Sequence, residues 1–130
     1  NEVLFKGKIA HADVLKMAIE LADILVYLHE KGIIHKDLNS TNVIIGDDGQ
    51  VHLVDFGIST NLHFEQTESV LVDHIEGTLT NIAPEQTGRT AFSITQSCDL
   101  YSFGILLYEM LTGKPPFDSS DHLEIIHFHL

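Results

Sequence analysis

The chain has 130 residues, 44% of them apolar, enough for one domain with a hydrophobic core and too apolar for a disordered segment. Nineteen acidic residues against seven Lys and Arg give a net charge of −12, which argues against a phosphate backbone as the main ligand, so no nucleic-acid partner is expected. No apolar run reaches the roughly eighteen residues a membrane span needs, so no direct membrane insertion is expected, and the lone Cys98 fits a reducing, cytoplasmic setting.

In chain order, Asn1–Ile9 has no clear period and reads as the tail of an element that began upstream. Val14, Ala18, Leu21, Leu25 and Leu28 recur at spacings of three and four, which predicts a helix from about His11 to Lys31. Asp13 suits its positive end, Lys31 its negative end, and Gly32 stops it. Ile33-Ile34 is a short apolar step into His35–Asn42, which reads H-K-D-L-N-S-T-N. Val43–Ile45 and Val51–Val54 predict two strands of a hairpin, because Gly46-Asp47-Asp48-Gly49-Gln50 between them is turn chemistry. Asp55-Phe56-Gly57 follows directly.

From Ile58 to Ile82 no period holds, and a loop of that length inside a domain is usually functional. Ala83-Pro84-Glu85-Gln86 opens a short helix with Pro84 in its first turn. Cys98–Leu111 predicts a second helix, with Leu100, Phe103, Leu107 and Leu111 on one stripe and apolar residues nearly all round, so a central, buried position is expected. Thr112-Gly113 ends it and Pro115-Pro116 prevents continuation. Asp121–Leu130 begins a third amphipathic segment, with Leu123, Ile126 and Phe128 apolar. The nine histidines are scattered, and His122, His127 and His129 lack metal-ligand spacing.

Two carboxylates and one amide stand out. Asp37 and Asn42 share one tight loop, and the second hairpin strand returns Asp55 beside it. Phosphoryl transfer from ATP needs a positioned acceptor, neutralised charge and hard oxygen ligands for Mg²⁺. Asn42 and Asp55 can supply those oxygens, and Asp37 can accept or orient a hydroxyl proton.

At these residues the chain resembles a known family. The order H-x-D-L-x-x-x-N, hairpin, D-F-G, long loop, A-P-E, then D-x-x-S-F-G in a helix resembles the C-terminal lobe of the protein-kinase fold. The resemblance implies a mainly α fold with a small β-hairpin, as one partial kinase domain over residues 1–130. The catalytic loop is 35–42, D-F-G is 55–57 and the activation segment is 55–85. Asp37 looks like the catalytic base, Asn42 and Asp55 like the Mg²⁺ ligands, and Ile44, Asn42 and Asp55 like the ATP contacts, with Ile44 under the adenine. His35 and Phe56 resemble the stacked pair that joins the two motifs. Asp99 resembles the buried anchor of the catalytic-loop backbone. Glu85 resembles half of an ion pair whose Arg lies past residue 130, and Thr78 resembles the loop threonine set against the catalytic Asp. No G-x-G-x-x-G loop, strand lysine or helix-C glutamate occurs here, so the N-lobe and the last C-lobe helices are expected outside these residues, and the isolated chain is expected to be inactive.

Four positions depart from the family pattern. Lys36 replaces the usual Arg, keeping charge without the bidentate fork. Asn39 stands where serine/threonine kinases usually carry a Lys, Asn81 where a Tyr is usual, and Tyr101 where Trp is common. The tracts His35–Asn39 and Ile82–Arg89 are similar to the kinase-like domains of large hybrid sensor histidine kinases, and so to two-component signalling. The resemblance implies ATP-dependent phosphorylation of protein Ser or Thr hydroxyls in intracellular signal transduction. The alternative is a non-catalytic pseudokinase module that binds nucleotide or partner proteins within a larger sensor. Thr67 and Ser69 are candidate phosphosites able to pair with Lys36.

Overall fold

A computed structural model describes residues 10–56, 60–61 and 79–130. Three helices and two small antiparallel strand pairs make up the described fold. Helix α1 is His11–Glu30, with Asp13 in its first turn and Gly32 at φ 72° just past its end. It buries Val14, Met17, Leu21, Leu25 and Leu28. Met17 therefore takes the inward place expected of Ala18, which is only half-buried. The longer side chain of Met17 fills the space between helix and hairpin.

The expected hairpin forms from β2, Val43–Ile45, and β3, Val51–Leu53, with Val43 opposite Leu53 and Ile45 opposite Val51. Its turn closes through Gly46 N–H to the Gln50 carbonyl at 2.9 Å, with Gly49 at φ 75°. Val54 lies past the strand, yet its N–H still donates to the Asn42 carbonyl at 2.9 Å. Glu20 Oε2 accepts from Val51 N–H at 2.9 Å and ties the hairpin to α1.

Ile33-Ile34, read as a linking step, is strand β1, paired antiparallel with β4, Thr60-Asn61. That pairing corrects the expectation of an unstructured stretch from Ile58. Leu79–Asn81 also departs from it, forming a 3₁₀ turn, and a second 3₁₀ turn spans Pro84–Thr87 as Pro84 suggested. Gly57, Thr67, Ser69 and Thr78 lie outside the described residues.

Helix α2, Ser97–Thr112, ends at Gly113 with φ 80°. Its buried face is Cys98, Asp99, Ser102, Leu106 and Met110, not the expected Leu100–Leu111 stripe. Leu100 is 58% exposed, and Tyr108 and Leu111 are also exposed. A helix that is apolar nearly all round has no unique inner face, so its polar groups choose one. Ser102 Oγ donates to the Asn81 carbonyl at 2.7 Å, and Asp99 engages the loop after β1. Helix α3, His122–Phe128, is capped by Asp121, whose Oδ1 accepts from Leu123 N–H at 2.9 Å. It buries Ile125, while Leu123 and Phe128 stay exposed, contrary to the apolar face expected of it.

The main core joins α1, the hairpin and α2 through Leu21, Leu25, Leu38, Val43, Leu106 and Met110. Each such buried side chain contributes about 1.5–3 kcal/mol. Among these, Leu38 bears most directly on function, because it pins the middle of the 35–42 loop into this core. Cys98 is fully buried, and burial pushes its thiol up to about 12, so it is a packing residue. Among the described residues no helix is long and apolar enough to cross a membrane.

Candidate active site

The site is a loop held from below by α2 and from the side by the hairpin. Asp99, fully buried at the start of α2, accepts from His35 N–H at 2.9 Å with Oδ2 and from Lys36 N–H at 2.8 Å with Oδ1. His29 Nε2, at the end of α1, reaches the same Oδ2 at 2.8 Å. Asp99 thus holds the loop backbone, as expected of it, and through His29 it also ties in α1, which the sequence did not suggest. Lys36 sits at φ 69°, a left-handed conformation costly for a side-chain-bearing residue. Its N–H is held by Asp99 and its carbonyl accepts from Gln86 Nε2 at 2.7 Å.

Gln86 was not singled out from the sequence. Its Oε1 also accepts from Ala83 N–H at 3.1 Å, so one amide joins the A-P-E turn to the loop. The only prior signal was its place in the 82–89 tract. Gln86→Ala is expected to lower the stability of the protein by about 1–2 kcal/mol, because it strips the partner from a part-buried carbonyl. The shift in denaturant midpoint checks this.

His35 is fully buried. Asp37 N–H lies 3.3 Å from its Nδ1, and its Nε2 lies 3.2 Å from the Val54 carbonyl. The first contact requires an accepting Nδ1, which leaves the proton on Nε2 to donate to Val54. Its ring contacts Phe56 at 4.9 Å, edge-on and not stacked as expected of the pair.

Asp37 is gripped by two amides. Asn42 Nδ2 donates to Asp37 Oδ2 and to the Asp37 carbonyl, both at 2.9 Å. Asn39 Nδ2 donates to Asp37 Oδ1 at 2.9 Å and to the same carbonyl at 3.3 Å. Burial raises the Asp37 carboxyl above its ordinary value, the hydrogen bonds from Asn42 and Asn39 and the His35 ring oppose that, and the charge of Asp55 adds to the rise. Asp55 is exposed and, like Lys36, left-handed at φ 62°.

Both amide hydrogens of Asn42 are used on Asp37, which leaves its Oδ1 as the available hard oxygen. The Val54 N–H bond to the Asn42 carbonyl sets Asp55 one residue from Asn42's strand partner. An amide oxygen and a carboxylate at one hairpin end fit Mg²⁺ held mainly by phosphates and water. Among the described residues no group of three or more His, Cys, Asp or Glu is placed to hold a metal on protein ligands alone. Ile44, half-buried in β2, points to the opposite face of the hairpin from Val43 and Ile45, which pack into the core.

Two departures also find places. Asn81 is buried, with its Oδ1 accepting from Thr80 Oγ1 at 2.9 Å and its Nδ2 without a partner among the described residues. The Tyr101 hydroxyl pairs with His129 Nδ1 at 2.8 Å.

This constellation belongs to a protein kinase domain: the family model of that description matches residues 1–129, and the chain is a member of the protein kinase family. It is 34% identical over 125 residues to a probable serine/threonine-protein kinase PknB of Bifidobacterium longum, covering 95% of this chain and 18% of that protein. It is 39% identical over 105 residues to Aurora kinase C of Mus musculus, covering 81% and 36%. It is 38% identical over 126 residues to ribosomal protein S6 kinase alpha-2 of Homo sapiens, covering 95% and 16%. The chain thus spans between 16% and 36% of the length of these relatives.

Proposed function

We propose that these residues are the C-terminal lobe of a serine/threonine protein kinase that transfers the γ-phosphoryl group of ATP to a protein hydroxyl. The catalytic loop is 35–42, D-F-G is 55–57 and the activation segment is 55–85. The observation that carries the reading is the grip of the Asn39 and Asn42 amides on Asp37, over a backbone fixed by buried Asp99. Asp37 orients the acceptor hydroxyl and takes its proton. Asn42 Oδ1 and Asp55 would hold Mg²⁺, which would supply neutralising charge for the phosphates. Ile44 offers an apolar face to the adenine. His35 packs against Phe56 and joins the Asp37 N–H to the Val54 carbonyl.

We further infer that the parent protein is a sensor of the hybrid histidine-kinase type, acting in two-component signalling in the cytoplasm. The two tracts that suggest this subfamily touch one another through Gln86 and the Lys36 carbonyl. A pseudokinase role is the second reading. It is favoured by Asn39, which puts no positive charge where the transferred phosphate would meet it.

The test is Asp55→Ala in the full-length protein with γ-labelled ATP and Mg²⁺. Label incorporation is expected to fall by about 100-fold or more, as for loss of a metal-holding group. Incorporation unchanged by the substitution rules out the catalytic reading. Mg²⁺-dependent nucleotide binding without incorporation supports the second reading.

A further inference from the structure

Asn39 lies in the middle of the loop and is only 6% exposed. Its Nδ2 donates to Asp37 Oδ1 at 2.9 Å and to the Asp37 carbonyl at 3.3 Å. Its Oδ1 accepts from Thr41 N–H at 2.9 Å, Thr41 Oγ1 at 2.6 Å and Asn42 N–H at 3.2 Å. The acceptor half is an ordinary side-chain turn that shapes residues 39–42. The donor half is not needed for that turn, and it lands on the carboxylate assigned as proton acceptor.

We propose that Asn39 is a positioning residue that sets Asp37 and Asn42 together, and that this loop requires a neutral amide there instead of a cation. The inference rests on the proposed role of Asp37 as proton acceptor. Few side chains can donate to Asp37 and accept from Thr41 and Asn42 at once. Lysine has three donors and no acceptor, so it would leave the Thr41 N–H and hydroxyl without this oxygen and Asn42 N–H with the Asn39 backbone carbonyl at 3.1 Å. Aspartate keeps the acceptor but loses the donor and sets a second negative charge against Asp37. The amide therefore links the orientation of the Asp37 carboxylate to the backbone from which Asn42 Oδ1 projects. The position that departs from the family pattern is, in this chain, an alternative way of holding the same two groups.

The experiment compares Asn39→Lys, Asn39→Asp and Asp37→Asn in the full-length protein, with γ-labelled ATP, Mg²⁺ and dephosphorylated casein as hydroxyl acceptor. Both Asn39 variants are expected to lose about 10–100-fold in kcat, the scale of a misplaced catalytic group, with KM for ATP little changed. Asn39→Asp keeps the turn acceptor but should lower the denaturant midpoint by a modest amount, because it loses the donor and sets a charge against Asp37. A turn role alone predicts wild-type kcat for Asn39→Asp. That result, or Asn39→Lys at or above the wild-type rate, overturns the proposal. Should Asn39→Lys not fold, Asn39→Asp decides. Transfer that needs Asp37 but not the amide overturns the positioning role alone. Transfer that survives Asp37→Asn, or no transfer by the wild type, overturns the reading of the site and this inference with it.

Discussion

Asp37→Asn is expected to lower phosphoryl transfer by about 100–10,000-fold while leaving Mg²⁺-dependent ATP binding in place, the range expected when a positioned proton acceptor is removed. The substitution is nearly isosteric, but it is not neutral for the loop. Asp37 presents only acceptors, and the Asn39 and Asn42 amides donate to its two carboxylate oxygens from opposite sides. An amide in place of this carboxylate would turn its own NH₂ toward one of them, so one of these hydrogen bonds is lost as well, at about 1 kcal/mol. The measurement is single-turnover label transfer at saturating ATP beside nucleotide affinity. A variant that keeps wild-type turnover removes Asp37 from the chemistry.

The wild-type rate should carry an acid limb that the variant lacks. Burial lifts the Asp37 carboxyl above 3.8. A proton acceptor works only when deprotonated, so the rate falls as pH drops through that raised value and is retained above it. The nearby Asp55 charge acts in the same direction as burial.

Asp99→Ala is expected to be the most destabilising single change in the described fold. The His35 and Lys36 N–H groups, His29 Nε2 and, weakly, the Cys98 thiol donate to this carboxylate. Removing it leaves one buried and one part-buried backbone donor without this acceptor, each at about 1–3 kcal/mol. The sum of about 2–6 kcal/mol is a large part of the roughly 5–15 kcal/mol that holds a typical domain together. Asp99→Asn keeps one accepting oxygen and turns an NH₂ against the other N–H, so an intermediate loss is expected. Denaturant unfolding of the full-length protein reads both, with label transfer lost in parallel as Lys36 leaves its left-handed conformation. An Asp99→Ala midpoint close to that of the wild type would mean that the loop is held by something else.

The parts of the fold that were legible in the sequence are those with a local cause. Helix α1 has a 3.6-residue stripe and a glycine stop, and the hairpin has turn-forming residues between the short runs Val43–Ile45 and Val51–Val54. The motif order carried the family and the positions of Asp37, Asn42, Asp55 and Asp99. What was illegible lacks a local cause. Strands β1 and β4 pair Ile33 with Asn61 and Ile34 with Thr60, far apart along the chain and with no turn to announce them. The inner face of α2 was misjudged because hydrophobicity cannot choose a face on a helix that is apolar all round. Asp99 and Ser102 choose it, through bonds to residues 35, 36 and 81. The place of Asn39 was noticed as a departure, but its hydrogen bonds depend on the folded shape of the 37–42 turn.

The grip of Asp99 on the loop also has a consequence for the order in which the chain is made. His35 and Lys36 precede their anchor by 64 and 63 residues. Synthesis therefore delivers the loop well before the side chain that fixes it. In that interval the Lys36 N–H lacks the Asp99 carboxylate that holds it in the folded loop, while the short-range amide contacts of residues 37–42 are already within reach. The loop takes its final shape only when α2 has emerged and docked on α1. A nascent chain thus carries every residue of the 35–42 segment before it carries a site.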